Sequence, residues 1–136
     1  MQPTIIPTLR YRDARSAVQW LCDTLGFEEH LVVPGDDGQI QHAQLTFGGG
    51  MIMLGSVRDD DFGKLQAPPH SPDAVVSQSP YVIVREIDEH YQRAVAAGAE
   101  IVMPLTAEDY GGKNYSCRDP EGHIWNFGSY DPWAET

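Results

Sequence analysis

Hydrophobic and polar positions switch between two periods along this chain, and the switches mark its elements. Residues 4–11 are extended in type, and Pro3 and Pro7 confine them to an edge or to a strand with few backbone partners. Asp13 stands at an N-cap position. Ala17, Val18, Trp20, Leu21 and Leu25 then recur at near-helical spacing through 14–25, and Gly26 stops the helix. Residues 27–33 are a strand, Pro34-Gly35-Asp36-Asp37-Gly38 is a turn, and 40–47 alternates. There Ala43, Leu45 and Phe47 share one face, and His42, Gln44 and Thr46 the other. Gly48-Gly49-Gly50 turns the chain into Met51-Ile52-Met53-Leu54. Residues 1–55 thus predict a β-α-β-β-β module.

Residues 56–79 break the pattern. Asp59-Asp60-Asp61, Pro68-Pro69, Ser71-Pro72 and Ser77-Gln78-Ser79 carry little periodicity, as expected of a linker or a lid over a site. Residues 80–136 then repeat the first punctuation and end in a tail. A strand at 81–84 leads to Asp88 as N-cap and to a helix over 89–97, with Tyr91, Ala94 and Val95 facing inward. Gly98 is the stop, and 101–105 is a strand. Residues 113–118 and the segment after Asp119-Pro120-Glu121-Gly122 read as a hairpin, with proline and glycine at the turn. Trp125 and Phe127 fall on the face opposite Asn126 and read as core under a helix. The fold class is α+β: two β-α-β-β-β modules whose curved mixed sheets form a cup, because one helix per four strands leaves a sheet face uncovered.

Composition narrows the partners. With 136 residues the chain is one domain or two small modules sharing a fold. A net charge of −11 argues against nucleic acid, which needs a basic face, and favours a cationic ligand at long range, unless it serves solubility alone. No apolar run approaches the roughly 20 residues that span a bilayer. Met1-Gln2-Pro3-Thr4 lacks a basic, then apolar, leader, so a cytoplasmic location is expected. Cys22 and Cys117 are too few for a disulfide framework or a zinc site; they read as reduced packing residues, with a reactive thiol as the alternative.

Leu9-Arg10-Tyr11-Arg12-Asp13, Trp20-Leu21, Leu25-Gly26-Phe27, Ala97-Gly98-Ala99 and Arg118-Asp119-Pro120-Glu121-Gly122, in this order and spacing, make the chain resemble the vicinal oxygen chelate superfamily. That superfamily includes glyoxalase I, extradiol dioxygenases, fosfomycin-resistance enzymes and bleomycin-resistance proteins. The resemblance implies paired modules rolled into a cup, often across a homodimer. In the enzymes a divalent metal is held by His, Glu or Gln, one each on the first and fourth strands of both modules. The matching positions here are Ile6 (or Pro7), Met53, Ser79 (or Tyr81) and Asn126. Those residues do not make the usual metal tetrad. The resemblance therefore points to the metal-free bleomycin-resistance branch, with no cofactor and no catalytic residue, and to a protein that sequesters a small molecule, a drug or a metabolite.

The expected ligand-binding set is Ile6, Thr8, His42, Gln44, Met51, Met53, Ser79, Tyr81 and Asn126. Ser79 and Asn126 form a neutral floor, or are satisfied within the protein; Met51 and Met53 form an adaptable wall, or fill core. His42 lies on the open face and is the alternative base if the chain is a glyoxalase-like lyase, isomerase or dioxygenase, with or without an unorthodox metal. His70, His90 and His123 read as solvated. Trp133 either caps a cup or a partner subunit, or packs on its own domain. Gly48-Gly49-Gly50 has no phosphate-loop context, and no Ser-His-Asp or Cys-His set can be assembled. A third class is an interaction module whose cup is filled by its own side chains.

Overall fold

In the computed structural model, which describes residues 2–134, Asp13 accepts from Ser16 N at 3.1 Å and from Ser16 Oγ at 2.8 Å, and so opens helix α1, Ala14–Leu25. The helix closes at Gly26, in the left-handed region at φ +87°. Around it lie β1 (Thr8–Tyr11), β2 (Glu28–Pro34), β3 (Ile40–Phe47) and β4 (Gly50–Ser56). The second module follows as β5 (Tyr81–Ile83), α2 (Ile87–Ala96), β6 (Glu100–Ala107), β7 (Lys113–Arg118) and β8 (Ile124–Gly128). Met1, Glu135 and Thr136, at the outer ends of the expected modules, lie outside the described residues. No helix among those residues is long and apolar enough to cross a membrane.

The architecture is α+β, with two open four-stranded mixed sheets, ordered β1-β4-β3-β2 and β5-β8-β7-β6. In each, the first strand runs parallel to the fourth and the rest are antiparallel. The repeat extends to register. Pro7 O accepts from Met53 N at 3.0 Å, and Pro80 O from Asn126 N at 3.1 Å. Thr8 pairs with Met53 as Tyr81 pairs with Asn126, and Gln44 with Met53 as Ser116 with Asn126. A bulge precedes Leu31 in β2 and Met103 in β6. Ile6 and Ser79 thus occupy equivalent places, each one residue before its proline.

One core serves both modules. Leu21, Leu25, Ala43 and Leu45 of the first and Cys117, Trp125 and Phe127 of the second are fully buried in a single cluster. Phe27 meets Trp125 edge-on at 5.4 Å across the module boundary. The alternation in β3, β4, β7 and β8 turns these residues inward and leaves the other face of each sheet free of helices.

The hairpin turn ties the modules together. Asp119, 4% exposed, accepts at Oδ2 from Tyr11 Oη (2.6 Å) and Trp125 Nε1 (3.1 Å). Its Oδ1 accepts from the amides of Glu121 (3.1 Å) and His123 (3.0 Å). Glu121 reaches across to accept from Arg12 N at 2.6 Å and Asp13 N at 2.8 Å, at the start of α1. Gly122 closes the turn at φ +98°, and a Cβ there would lie 2.8 Å from Ser71 O, so segment 56–79 rests on the turn itself.

Helix α2 departs from expectation. Its N-cap is Glu86, and Asp88 lies in the first turn, paired with Lys113 Nζ at 3.1 Å. The buried residues are Ile87, His90 and Ala94, a phase that turns Val95 outward at 48% exposure. His90 is not solvated: it is 8% exposed, 2.7 Å from Leu25 O and 2.7 Å from Tyr115 Oη. A carbonyl only accepts, so Nε2 carries the proton and Nδ1 accepts from Tyr115. Arg93 Nη2 donates to Cys22 O (3.2 Å) and Asp23 O (3.0 Å), serving carbonyls at the end of α1. His123 also has a partner, Arg10 O at 2.9 Å. Trp133 is 87% exposed and does not pack on its own domain.

Burial lowers the pKa of His90 below its ordinary 6.5, outweighing the Leu25 hydrogen bond that favours the charged form. The unfolded chain takes up that proton near 6.5 while the fold resists it, so this contribution to stability is full above 6.5 and is lost as pH falls toward the folded value. The urea midpoint therefore falls between about pH 7 and about pH 5, and His90→Gln flattens the dependence. An identical pH slope in the variant would contradict this. Burial also raises both thiols, Cys117 to about 12, and Glu29, Asp23 and Glu28 add to the effect at Cys22. Neither is an activated nucleophile.

Candidate functional site

Two polar sheet faces, one per module, carry the candidate residues. On the first, β3 presents half-buried His42 and Gln44, β4 presents half-buried Met51 and Met53, and β1 presents exposed Thr8. Gln44 Nε2 is 3.1 Å from His42 Nε2; the amide donates, so the imidazole proton sits on Nδ1. Across the sheet, Leu31, Gln44, Met53 and Thr8 form one row. It is mixed, with two apolar and two polar side chains.

The equivalent row of the second module is Met103, Ser116, Asn126 and Tyr81. Asn126 is held on three sides. Its Nδ2 donates to Ser79 Oγ at 2.7 Å and to Pro80 O at 3.0 Å, and its Oδ1 accepts from Ser116 Oγ at 2.6 Å. Pro80 O can only accept, which fixes the amide's orientation. Ser79 keeps its hydroxyl proton and Asn126 keeps a lone pair, so the floor offers a ligand both a donor and an acceptor, and no charge. Tyr81 Oη donates to Tyr130 O at 2.8 Å. Burial raises the Tyr81 pKa, and nearby Tyr110, Tyr130 and Asp131 add to the rise.

Segment 56–79 borders the first face. Gln66 Nε2 donates to Thr8 O at 2.8 Å, and Arg12 Nη2 donates to Pro69 O at 3.0 Å. Between this segment, β1 with the residues leading into it, and the start of β8 lies a cleft of about 720 Å³, lined among others by Ile6, Thr8, Leu65, Val75, Ser79 and His123. The structure thus brings Ile6, Thr8 and Ser79 into one cleft, and joins Ser79 to Asn126. His42, Gln44, Met51 and Met53 lie together on the first face. Those four, with Tyr81 and Asn126, do not line the cleft.

Ser116 and Arg10 belong to the same faces but were not among the expected residues. The signal for Ser116 was its place between Tyr115 and Cys117, both buried; for Arg10, its place between buried Leu9 and Tyr11.

The four positions that the resemblance assigns to a metal do not fit one. Ile6 has no donor and Met53 only a soft thioether. Ser79 and Asn126 are neutral, with the amide nitrogen already aimed at a carbonyl, whereas a hard divalent cation calls for oxygen and nitrogen donors with carboxylates among them. No three His, Cys, Asp or Glu side chains gather as a metal site among the described residues.

A family model described as Glyoxalase/Bleomycin resistance protein/Dioxygenase superfamily matches residues 5–127. The chain is 30% identical over 131 residues to an uncharacterized protein of Mycobacterium tuberculosis, covering 94% of this chain and 75% of that one. Among solved structures it is similar to TioX from Micromonospora sp. ML1, with 34% identity, coverage of 93% and 97%, and a TM-score of 0.70. The lactoylglutathione lyase of Agrobacterium tumefaciens, at 21% identity, coverage of 98% and 99% and a TM-score of 0.68, shares the fold. So does the fosfomycin resistance protein FosX of Listeria monocytogenes, at 13% identity, coverage of 97% and 95% and a TM-score of 0.70.

Proposed function

The chain belongs to the Glyoxalase/Bleomycin resistance protein/Dioxygenase superfamily, and on that premise we propose that it is a metal-free binding protein that sequesters a small amphipathic molecule on its polar sheet faces. The observation that carries this reading is the hydrogen bonding of Asn126. At a position where the related enzymes carry a metal-binding carboxylate, the chain has an amide committed to Ser79, Pro80 and Ser116. An uncharged floor with one spare donor and one spare acceptor suits orienting a ligand better than polarising one. Met51 and Met53 on the first module's face supply adaptable apolar contact. The protein works as a cytoplasmic homodimer, in which a second copy completes the cup; exposed Ile5 (85%), Leu65 (80%) and Val75 (98%) support an apolar meeting surface.

Calorimetry on chelator-treated protein with a panel of amphipathic drugs and metabolites tests the reading. Saturable binding is expected, with each compound recovered unchanged by mass spectrometry. Conversion of any bound compound to product would overturn it. His42→Ala gives a second check: its stability changes by no more than about 0.5 kcal/mol, and its affinity for a bound compound falls by no more than about tenfold, the loss of one hydrogen bond. An enzyme using His42 as its base would instead lose rate by roughly 10²–10⁴.

A further inference from the structure

We propose that Arg10, with His42 across Gly55, forms an oxyanion subsite on the first polar face, so that the small molecule bound there carries a carboxylate, phosphate or phosphonate. The inference rests on reading that face as the ligand face. Arg10 pairs with Gly55 in the sheet, and Ala43 with Leu54, which sets His42 on the other side of Gly55. A Cβ at Gly55 would lie 2.6 Å from Arg10 Nη1 and 2.8 Å from Gln41 O, so glycine here admits both the guanidinium and the neighbouring backbone. The Phe62 ring lies 5.5 Å from Arg10 Cζ, within cation–π range of the guanidinium.

This guanidinium is almost unspent. Among the described residues its one hydrogen bond is a long one, Nη1 to Ser56 O at 3.4 Å, and its buried Nε has no partner. Arg58 stands near enough to lower the pKa of Arg10, after the larger effect of burial, and the opposing Asp60 is committed elsewhere. Asp60 accepts from Arg58 Nε at 2.6 Å and from Gly63 N at 2.9 Å. Arg58 and the Gly63 amide thus take up this carboxylate, and Arg10 makes no ion pair with it. His42 accepts from Gln44 through Nε2, which leaves its Nδ1–H for a ligand. An unpaired fork of donors, partly desolvated, is what a bidentate oxyanion satisfies. The overall charge of −11 does not oppose this at close range, because salt screens distant charges beyond about 8 Å.

The test uses benzoate and phenylphosphonate as probes, with benzamide as the neutral counterpart, followed by nuclear magnetic resonance on ¹⁵N-labelled full-length protein. Both anions are expected to shift the Arg10 Nε–H and the Gly55 and Ser56 amides saturably, with at least about tenfold tighter binding than benzamide. Arg10→Gln abolishes that preference, and Arg10→Lys, which keeps charge without the fork, retains part of it. Equal binding of benzamide, absence of a saturable shift, or an undiminished preference in Arg10→Gln would overturn the subsite; the wild-type comparison decides even if a variant misfolds. The two readings fail separately. Neutral compounds held on the face with no preference for acids would remove the subsite and leave the binding protein. Conversion of a bound compound, with Arg10 still selecting anions, would do the reverse.

Discussion

Asp119→Ala lowers the free energy of unfolding by about 3–5 kcal/mol, the largest effect expected of any single polar substitution in this chain. The carboxylate is 4% exposed and is the acceptor for Tyr11 Oη, Trp125 Nε1 and the amides of Glu121 and His123. Alanine leaves all four donors without it. Each buried donor left unpaired costs about 1–3 kcal/mol, and water entering the vacated space recovers part of the sum. Against a typical total of about 5–15 kcal/mol, such a loss leaves the fold marginal. Because Tyr11 belongs to the first module and Trp125 to the second, the loss should appear in one cooperative transition. Urea unfolding followed by tryptophan fluorescence and circular dichroism is the check. A loss below about 1 kcal/mol, or separate transitions for the two probes, would contradict the shared core.

Asn126→Asp is expected to cost about 1–3 kcal/mol at neutral pH. The substitution keeps the shape but replaces the Nδ2 donor with an oxygen that faces Pro80 O, now 3.0 Å from the amide nitrogen. Ser79 can rotate its hydroxyl to donate; the carbonyl cannot. The new carboxyl therefore has its folded pKa raised above its unfolded value, and the fold binds the proton more readily than the unfolded chain. The deficit is full above the folded pKa and shrinks as pH falls through it. Stability curves of the variant and wild type should converge on acidification. Parallel curves, or an unperturbed variant at neutral pH, would mean that the amide orientation at this floor is wrong.

Local chemistry made most of the scaffold legible. Strict alternation in β3 sorted His42 and Gln44 from Ala43 and Leu45, and Asp13 with Gly26 bracketed the first helix. The second helix was misphased because its apolar pattern is thin, and because its inward residue at the middle is a histidine. His90 is buried only because Leu25 O and Tyr115 Oη, far away in sequence, meet both ring nitrogens. No local pattern carries that information. The candidate site shows the same division. Family likeness located Asn126, and strand periodicity placed it opposite Trp125 and Phe127. Its partner Ser116 came from strand register, and the unspent guanidinium of Arg10 from the approach of Phe62 and the glycine beneath it. Segment 56–79 carries little periodicity, yet Gln66 and Pro69 fasten it to the first strand and to Arg12.

On the proposed function, Ile6, Met53, Ser79 and Asn126 serve a ligand and hold no metal. Calorimetric titration of Mn²⁺, Ni²⁺ and Zn²⁺ into chelator-treated protein, followed by elemental analysis after desalting, tests it most directly. No saturable heat and no retained metal are expected. One equivalent retained per chain, released on substitution of Asn126, would contradict it.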